Sequence, residues 1–365
     1  MFRQIKQYIR LIPVISSVYT FLWKCKRRIR KNYRKDKYLF SLLCPIYKAK
    51  IFHRNISFLI FTPDYNNIGD HGIALAETTL LYKNGIPFFE VPYSIIYQLN
   101  QQDKLWIFNG RRIFFTGGGY LGTIWIENDK MVRKIVTDNP KSEIIFFPNT
   151  VYYENSPEGE RLFRESIEVF NSHHNLTVFL REQISYNKVH NIYNNTYLVP
   201  DMVFSMTVSQ SCKTRYGCLL LLRSDREKTM TDLELERLLL SVRDMFGEKV
   251  RISDMCADHA VSISERTSAV NQKLSECSGA SLIITDRLHG MIFAAITGTP
   301  CIVMESLSSK IRGCYSWIED CNYIRLCNDS EEIPAIWEEI QGKTYEYDNL
   351  KILPLYDTLI KKIKE

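Results

Sequence analysis

The 365-residue chain contains ten cysteines but no C-x-x-C pair, and no His stands at metal-ligand spacing from two of them. That excludes a zinc module, and no metal is expected. Cys218 precedes Leu219–Leu222 and Cys301 precedes Ile302, so these thiols read as small core hydrophobes in a reducing compartment. Long apolar runs are also missing. Leu11–Trp23 spans 13 residues and contains Pro13, whereas a bilayer crossing needs about 20. No A-x-A-like site follows it, which argues against a secretory signal. No Walker lysine follows any glycine cluster, so a P-loop is excluded. Outside the N-terminus there is no basic excess. Residues 1–37 hold 12 Lys/Arg against Asp36 alone, and the other 328 residues, with 35 basic and 40 acidic side chains, sum to −5. A nucleic-acid groove, which needs clustered cations on the fold itself, is therefore not expected.

The N-terminal extension, residues 1–50, joins an apolar patch to the polybasic run Lys24–Lys31. It reads as a membrane-surface anchor, with each Lys/Arg near anionic lipid contributing about 1 kcal/mol, or as a solvated tail. The expected location is cytoplasmic, peripheral on the inner membrane face. From residue 55 onward short apolar runs alternate with amphipathic stretches, the pattern of parallel βαβ units. Strands are expected at 56–61, 113–116, 144–147, 177–180, 218–222, 250–252, 281–285 and 301–304. Helices are expected at 70–83, 130–137, 159–171, 231–246 and 264–277, with a closing helix at 350–364. The spacing predicts an α/β protein of two doubly wound Rossmann-like domains facing across a cleft, at 51–210 and 211–345, with 346–365 closing the chain.

Ligands in such sheets sit beyond the carboxyl ends of the strands, and that is where this sequence concentrates its chemistry. Asp286-Arg287-Leu288-His289-Gly290 brings Arg and His at i, i+2 to the mouth of a strand. Arg287 offers a planar fork for carboxylate or phosphate, and His289 a proton carrier near neutral pH. The blander reading is a structural Arg and a helix-capping His. Arg181 and Arg223 also end apolar strands; either is a phosphate clamp or the partner of Glu182 or Asp225. Asn67-Ile68-Gly69-Asp70 opens a helix, where backbone N–H groups face an anion. Gly117, Gly118 and Gly119 let backbone approach a ligand or the facing domain. Asp70 and Asp201 are candidate bases on the acceptor side, or merely a helix cap and a turn residue.

Asn67-x-Gly69-Asp70, Gly117-Gly118-Gly119, Pro148, Leu180-Arg181-Glu182-x-x-Ser185, Val199-Pro200-Asp201, Asp286-Arg287-Leu288-His289-Gly290, Gly298-x-Pro300 and Ser309-Lys310 occur in one order. That ordered set, over residues 55–320, resembles the polysaccharide pyruvyl transferase family. Asn149 and Thr150 depart from it, since many members carry Gln and Ser after the proline. The resemblance implies a GT-B-like architecture and a transferase that moves the pyruvyl group of phosphoenolpyruvate onto a surface-polysaccharide or exopolysaccharide precursor. Phosphoenolpyruvate is then the donor substrate and no cofactor is needed; the acceptor is a free or lipid-linked saccharide. It implies catalytic roles for His289, Arg287 and Asp70, and cationic substrate contacts from Arg181, Arg223 and Lys310. Two other readings stand beside it. One is a GT-B-type glycosyltransferase using a nucleotide-sugar, with Glu305 gripping the ribose. The other is a non-catalytic lipid- or polymer-binding protein.

Overall fold

The computed structural model describes residues 43–51, 55–208, 214–225, 227–305, 310–343 and 346–365. The chain divides into two units, Met1–Arg54 and Asn55–Glu365. Of the first, residues 43–51 are helical; the apolar and polybasic segments expected to meet a membrane lie outside the described residues. No helix of the described residues is long and apolar enough to cross a membrane.

The second unit holds two parallel sheets. The first contains β1 (Ser57–Thr62), β2 (Phe88–Pro92), β3 (Ile113–Phe115), β4 (Gly118–Gly122), β5 (Ile144–Tyr152), β6 (Leu176–Leu180) and β7 (Thr196–Leu198) in the order β2-β1-β3-β5-β6-β7, with β4 paired to β5. The second contains β8 (Cys218–Leu221), β9 (Val250–Ser253), β10 (Leu282–Thr285), β11 (Cys301–Met304) and β12 (Ile324–Cys327) in the order β12-β11-β10-β8-β9. Every pairing is parallel. The inner strands are apolar and fully buried because helices cover both faces. This is the expected two-domain, doubly wound arrangement.

Helix starts follow local chemistry. The Ser156 side chain accepts from Gly159 N ahead of Pro157, and Thr231 forms a reciprocal capping box with Glu234. Other elements differ from the sequence reading. Helix Asp232–Phe246 buries only Leu238 and Val242, while Leu233 stays exposed at 58%; it lies on the rim of a sheet, so its apolar stripe is broader than the face it covers. β2 was not anticipated, because Pro87 and Pro92 punctuate it; it is an edge strand, where proline is tolerated. β12 and helix Ile333–Ile340 were likewise missed. The closing helix breaks into Asn349–Ile352, a 3-10 turn Leu353–Tyr356 and Asp357–Lys364, since Pro354 removes an amide donor.

The sheets are tied together near their carboxyl ends. Ile68 N donates to Met255 O at 2.7 Å and Ala257 N to Asn66 O at 2.8 Å, a short bridge joining the loop after β1 to the loop after β9. Trp317 Nε1 donates to the Arg181 carbonyl at 2.8 Å. Tyr356 Oη donates to the Asp201 carbonyl at 2.6 Å, bringing the C-terminal segment back to the first sheet. These links fix the cleft that holds the site.

Candidate active site

Strands of both sheets end on one cavity of about 530 Å³, within the size range of small-ligand sites. Its wall includes Asn67, Asp70, Gly117, Gly118, Gly119, Arg181, Arg223, Arg287, His289 and Lys310. Residues more than 240 positions apart are thus brought together, as the strand-end rule requires.

Arg181 leaves the end of β6 and is only 2% exposed. Its Nε donates to Thr150 Oγ1 and its Nη1 to Asp201 Oδ2, both at 2.8 Å. Burial would lower its pKa, but Asp201 more than offsets that and holds it above the ordinary arginine value. Nη2 has no hydrogen-bond partner among the described residues. It points toward Gly119, where a Cβ would stand 2.9 Å from it.

His289 lies in the first turn of helix Leu288–Ile296. Its Nε2 is 3.5 Å from Asp201 Oδ2, so one buried carboxylate braces both Arg181 and His289. Burial pushes the Asp201 pKa up, but His289, Arg181 and the Val203 amide together hold it well below the usual range. Gly69 supports the ring from the other domain: a Cβ there would fall 2.3 Å from His289 Nδ1. The glycine in N-x-G-D is thus a matter of close approach. Helix Leu288–Ile296 has Arg287 at its N-cap and no side-chain cap hydrogen bond, leaving N-terminal amides for an anion.

The remaining cations are matched by carboxylates. Arg287 donates from Nε and Nη2 to Asp254, at 2.8 and 2.7 Å, and from Nη1 to Asp225. Arg223 donates to Asp225 at 3.0 Å and to Glu227 at 3.2 Å. Lys310 donates to Glu227. Burial lowers the Lys310 pKa, which Glu227 partly restores. Burial raises Asp225, yet Arg287 and Arg223 hold it at about 2. Arg181, Arg223, Arg287 and Lys310 therefore face Asp201, Asp225, Glu227 and Asp254. The rigid guanidinium planes are pre-oriented, and the pairing limits the cost of burying their charge.

Not every expected residue reaches the cavity wall. Asp286 accepts the Arg223 amide at 2.9 Å and burial raises its pKa; it braces one strand end against another. Gly290 packs on Thr285, 2.4 Å from where its Cβ would lie. Asp201 is fully buried behind Arg181 and His289, which places it behind the wall as a brace. Asn67 lines the cavity, but its side chain accepts from Gly69 N at 3.0 Å and from Asp70 N at 3.4 Å as a helix cap. Asp70 does line the cavity, and its Oδ2 accepts from Tyr65 Oη at 2.9 Å. Glu305, the carboxylate of the glycosyltransferase reading, pairs with Arg312 at 3.3 Å and is not on the wall.

Glu77 was missed. It is fully buried in helix Ile68–Lys83, where Oε1 accepts from Gly117 N at 2.6 Å and Oε2 from Thr116 Oγ1 at 2.7 Å. Burial raises its pKa to about 8 despite those two bonds. The signal was a lone acid in the apolar run Ile73–Leu81. Asp254 was missed too, although it follows β9 by the same strand-end rule.

Comparison with known proteins agrees with this arrangement. The polysaccharide pyruvyl transferase family model matches residues 67–308. General stress protein 30 of Bacillus subtilis (strain 168) is 32% identical over 314 residues, covering 82% of this chain and 90% of that protein. Pyruvyl transferase 1 of Schizosaccharomyces pombe is 27% identical over 289 residues, covering 72% of this chain and 70% of that one. Among solved structures, a functionally uncharacterized protein from Klebsiella pneumoniae shares the fold with a TM-score of 0.52 at 17% identity, covering 78% of this chain and 98% of that one. With its family motifs assembled around one cleft, the chain belongs to the polysaccharide pyruvyl transferase family.

Proposed function

We propose that the protein transfers the pyruvyl unit of phosphoenolpyruvate to a sugar of a polysaccharide precursor, forming a ketal that bridges two hydroxyls. One observation carries this reading. The uncapped N-terminus of helix Leu288–Ile296, with His289 in its first turn, opens between Arg181 on one side and Arg223, Arg287 and Lys310 on the other. Phosphoenolpyruvate has the matching chemistry: two anionic groups on one carbon, beside a methylene carbon that must be protonated. The phosphate suits the helix amides and the Arg223–Lys310 side. The carboxylate suits Arg181 Nη2. His289, braced by Asp201, then delivers a proton to the methylene carbon.

Protonation leaves positive charge on the central carbon and its ester oxygen. A sugar hydroxyl adds there, forming a C–O bond, and its proton passes to Asp70. The bond to phosphate breaks with its electron pair on the phosphate. A second hydroxyl adds to the same carbon and closes the ketal. One hydroxyl proton departs with the phosphate as hydrogen phosphate; the other returns to His289. The polybasic segment extends the same reading to a lipid-linked acceptor on an anionic membrane surface, with the folded body in the cytoplasm.

Thermal melts test the donor. Ligand at a hundred times its Kd stabilises by about 2.7 kcal/mol. For a unit of about 310 residues, with unfolding entropy near 2.1 cal/mol/K per residue, that is a rise of about 4 °C. Phosphoenolpyruvate is expected to give this rise, and Lys310→Met to abolish it. Stabilisation by a nucleotide-sugar and not by phosphoenolpyruvate refutes the reading in favour of a glycosyltransferase.

A further inference from the structure

The cavity has a second half whose chemistry is different. Its wall residues between positions 61 and 128 include Asp70 and Glu127 but no Lys, Arg or His. An anion is poorly served there. Instead, Phe61, Tyr65, Tyr93, Tyr120 and Trp125 line it. The rings hold one another: Phe61 stacks with Tyr120 at 5.5 Å, and Tyr93 meets both Phe61 at 5.8 Å and Tyr65 at 6.0 Å nearly edge-on. Phe61 takes a left-handed backbone at φ +68°, where the β1–β2 register slips between Ile60 and Thr62. Such a bulge re-aims a side chain, and a bulky residue held at positive φ is a strained position of the kind that clusters at ligand clamps.

We propose that this aromatic wall seats the ring of the acceptor sugar, with Asp70 and Asn128 holding its hydroxyls. A pyranose presents apolar C–H faces to a flat ring and hydroxyls at its edge. The wall offers the complement: pre-set aromatic faces with a few polar groups at the margin. Asp70 Oδ2 accepts from Tyr65 Oη, which fixes the carboxylate and leaves Oδ1 without a hydrogen-bond partner among the described residues. Asn128 Oδ1 accepts from Tyr93 Oη at 3.2 Å, so its amide group turns outward as a donor. The occupant is therefore a neutral saccharide, with the anionic donor on the cationic side. The assignment rests on the pyruvyl-transfer reading only for the identity of that donor.

Saturation-transfer NMR on the full chain tests it, with the methyl glycosides of glucose, galactose, mannose, N-acetylglucosamine and N-acetylmannosamine as probes, each with and without phosphoenolpyruvate. At least one glycoside should show transfer to its ring C–H protons. Tyr93→Leu and Trp125→Leu should each reduce that signal at least about tenfold, while Tyr93→Phe, which keeps the face, retains most of it. The phosphoenolpyruvate-induced rise in Tm should persist in all three variants. No transfer from any glycoside, or unchanged transfer in both leucine variants, overturns the proposal. Loss of the phosphoenolpyruvate response in the leucine variants does so too, since the wall would then serve the donor. Transfer from a glycoside with no phosphoenolpyruvate response in the unaltered protein upholds the sugar subsite and sinks the donor reading instead.

Discussion

Glu77 makes stability itself pH-dependent. Its carboxyl is fully buried and titrates at about 8, against 4.5 for the ordinary side chain. The folded state therefore holds a proton that the unfolded state gives up. Stability from this group is fully present below pH 4.5 and is lost as pH rises through 8. At about 1.36 kcal/mol per pH unit, the loss is roughly 3 kcal/mol by pH 7 and saturates between 4 and 5 kcal/mol above pH 8. Glu77→Gln keeps both contacts, with the amide oxygen accepting from Gly117 N and the amide group facing Thr116 Oγ1, but it cannot titrate. The two proteins should melt together near pH 4.5 to 5 and separate as pH rises. With about 0.65 kcal/mol/K of unfolding entropy for some 310 residues, Glu77→Gln should melt roughly 7 °C above the unaltered protein at pH 9. Paired melts across pH 5–9 measure the difference directly, and other titrating groups cancel in it. Parallel curves would mean that Glu77 is ionised in the fold and that the predicted pH dependence is absent.

Asp201→Asn leaves Arg181 buried without its carboxylate, and should cost about 3–5 kcal/mol in urea unfolding along with most of the turnover. Gly69→Ala drives a methyl into the His289 ring; turnover should fall by about a hundredfold or more, with binding of phosphoenolpyruvate, read by calorimetry, changed far less. Gly119→Ala crowds Arg181 Nη2 and should show the opposite pattern, weakening binding of phosphoenolpyruvate more than the rate at saturation. Deleting residues 1–37 should abolish co-sedimentation with phosphatidylserine vesicles at low salt and leave the Tm of the second unit unchanged.

The strand-end rule made most of the cationic site legible. Arg181, Arg223 and Arg287 each end a buried parallel strand, and a doubly wound sheet points such ends at a cleft. What the rule cannot say is which way a side chain turns there. Asp286 turns back to the Arg223 amide and Gly290 packs on Thr285, so both brace the site from behind. Gly117, Gly118 and Gly119, expected to let backbone approach a ligand or the facing domain, stand on the cavity wall, with Gly118 opening β4 opposite Asn149 of β5. The aromatic wall was hidden because its rings meet only in three dimensions. Phe61 enters the cavity through a register slip with a strand that local sequence does not announce. Glu77 was equally obscure, since its partners Thr116 and Gly117 lie about 40 residues downstream.

The most direct test of the central claim is phosphate release from phosphoenolpyruvate, followed with mass spectrometry of the acceptor, over a panel of free and lipid-linked oligosaccharides. Release should depend on one acceptor class, with one pyruvate ketal gained per phosphate released, and both should be lost in His289→Ala. Phosphate release without a ketal on any acceptor, or full activity in His289→Ala, contradicts that claim.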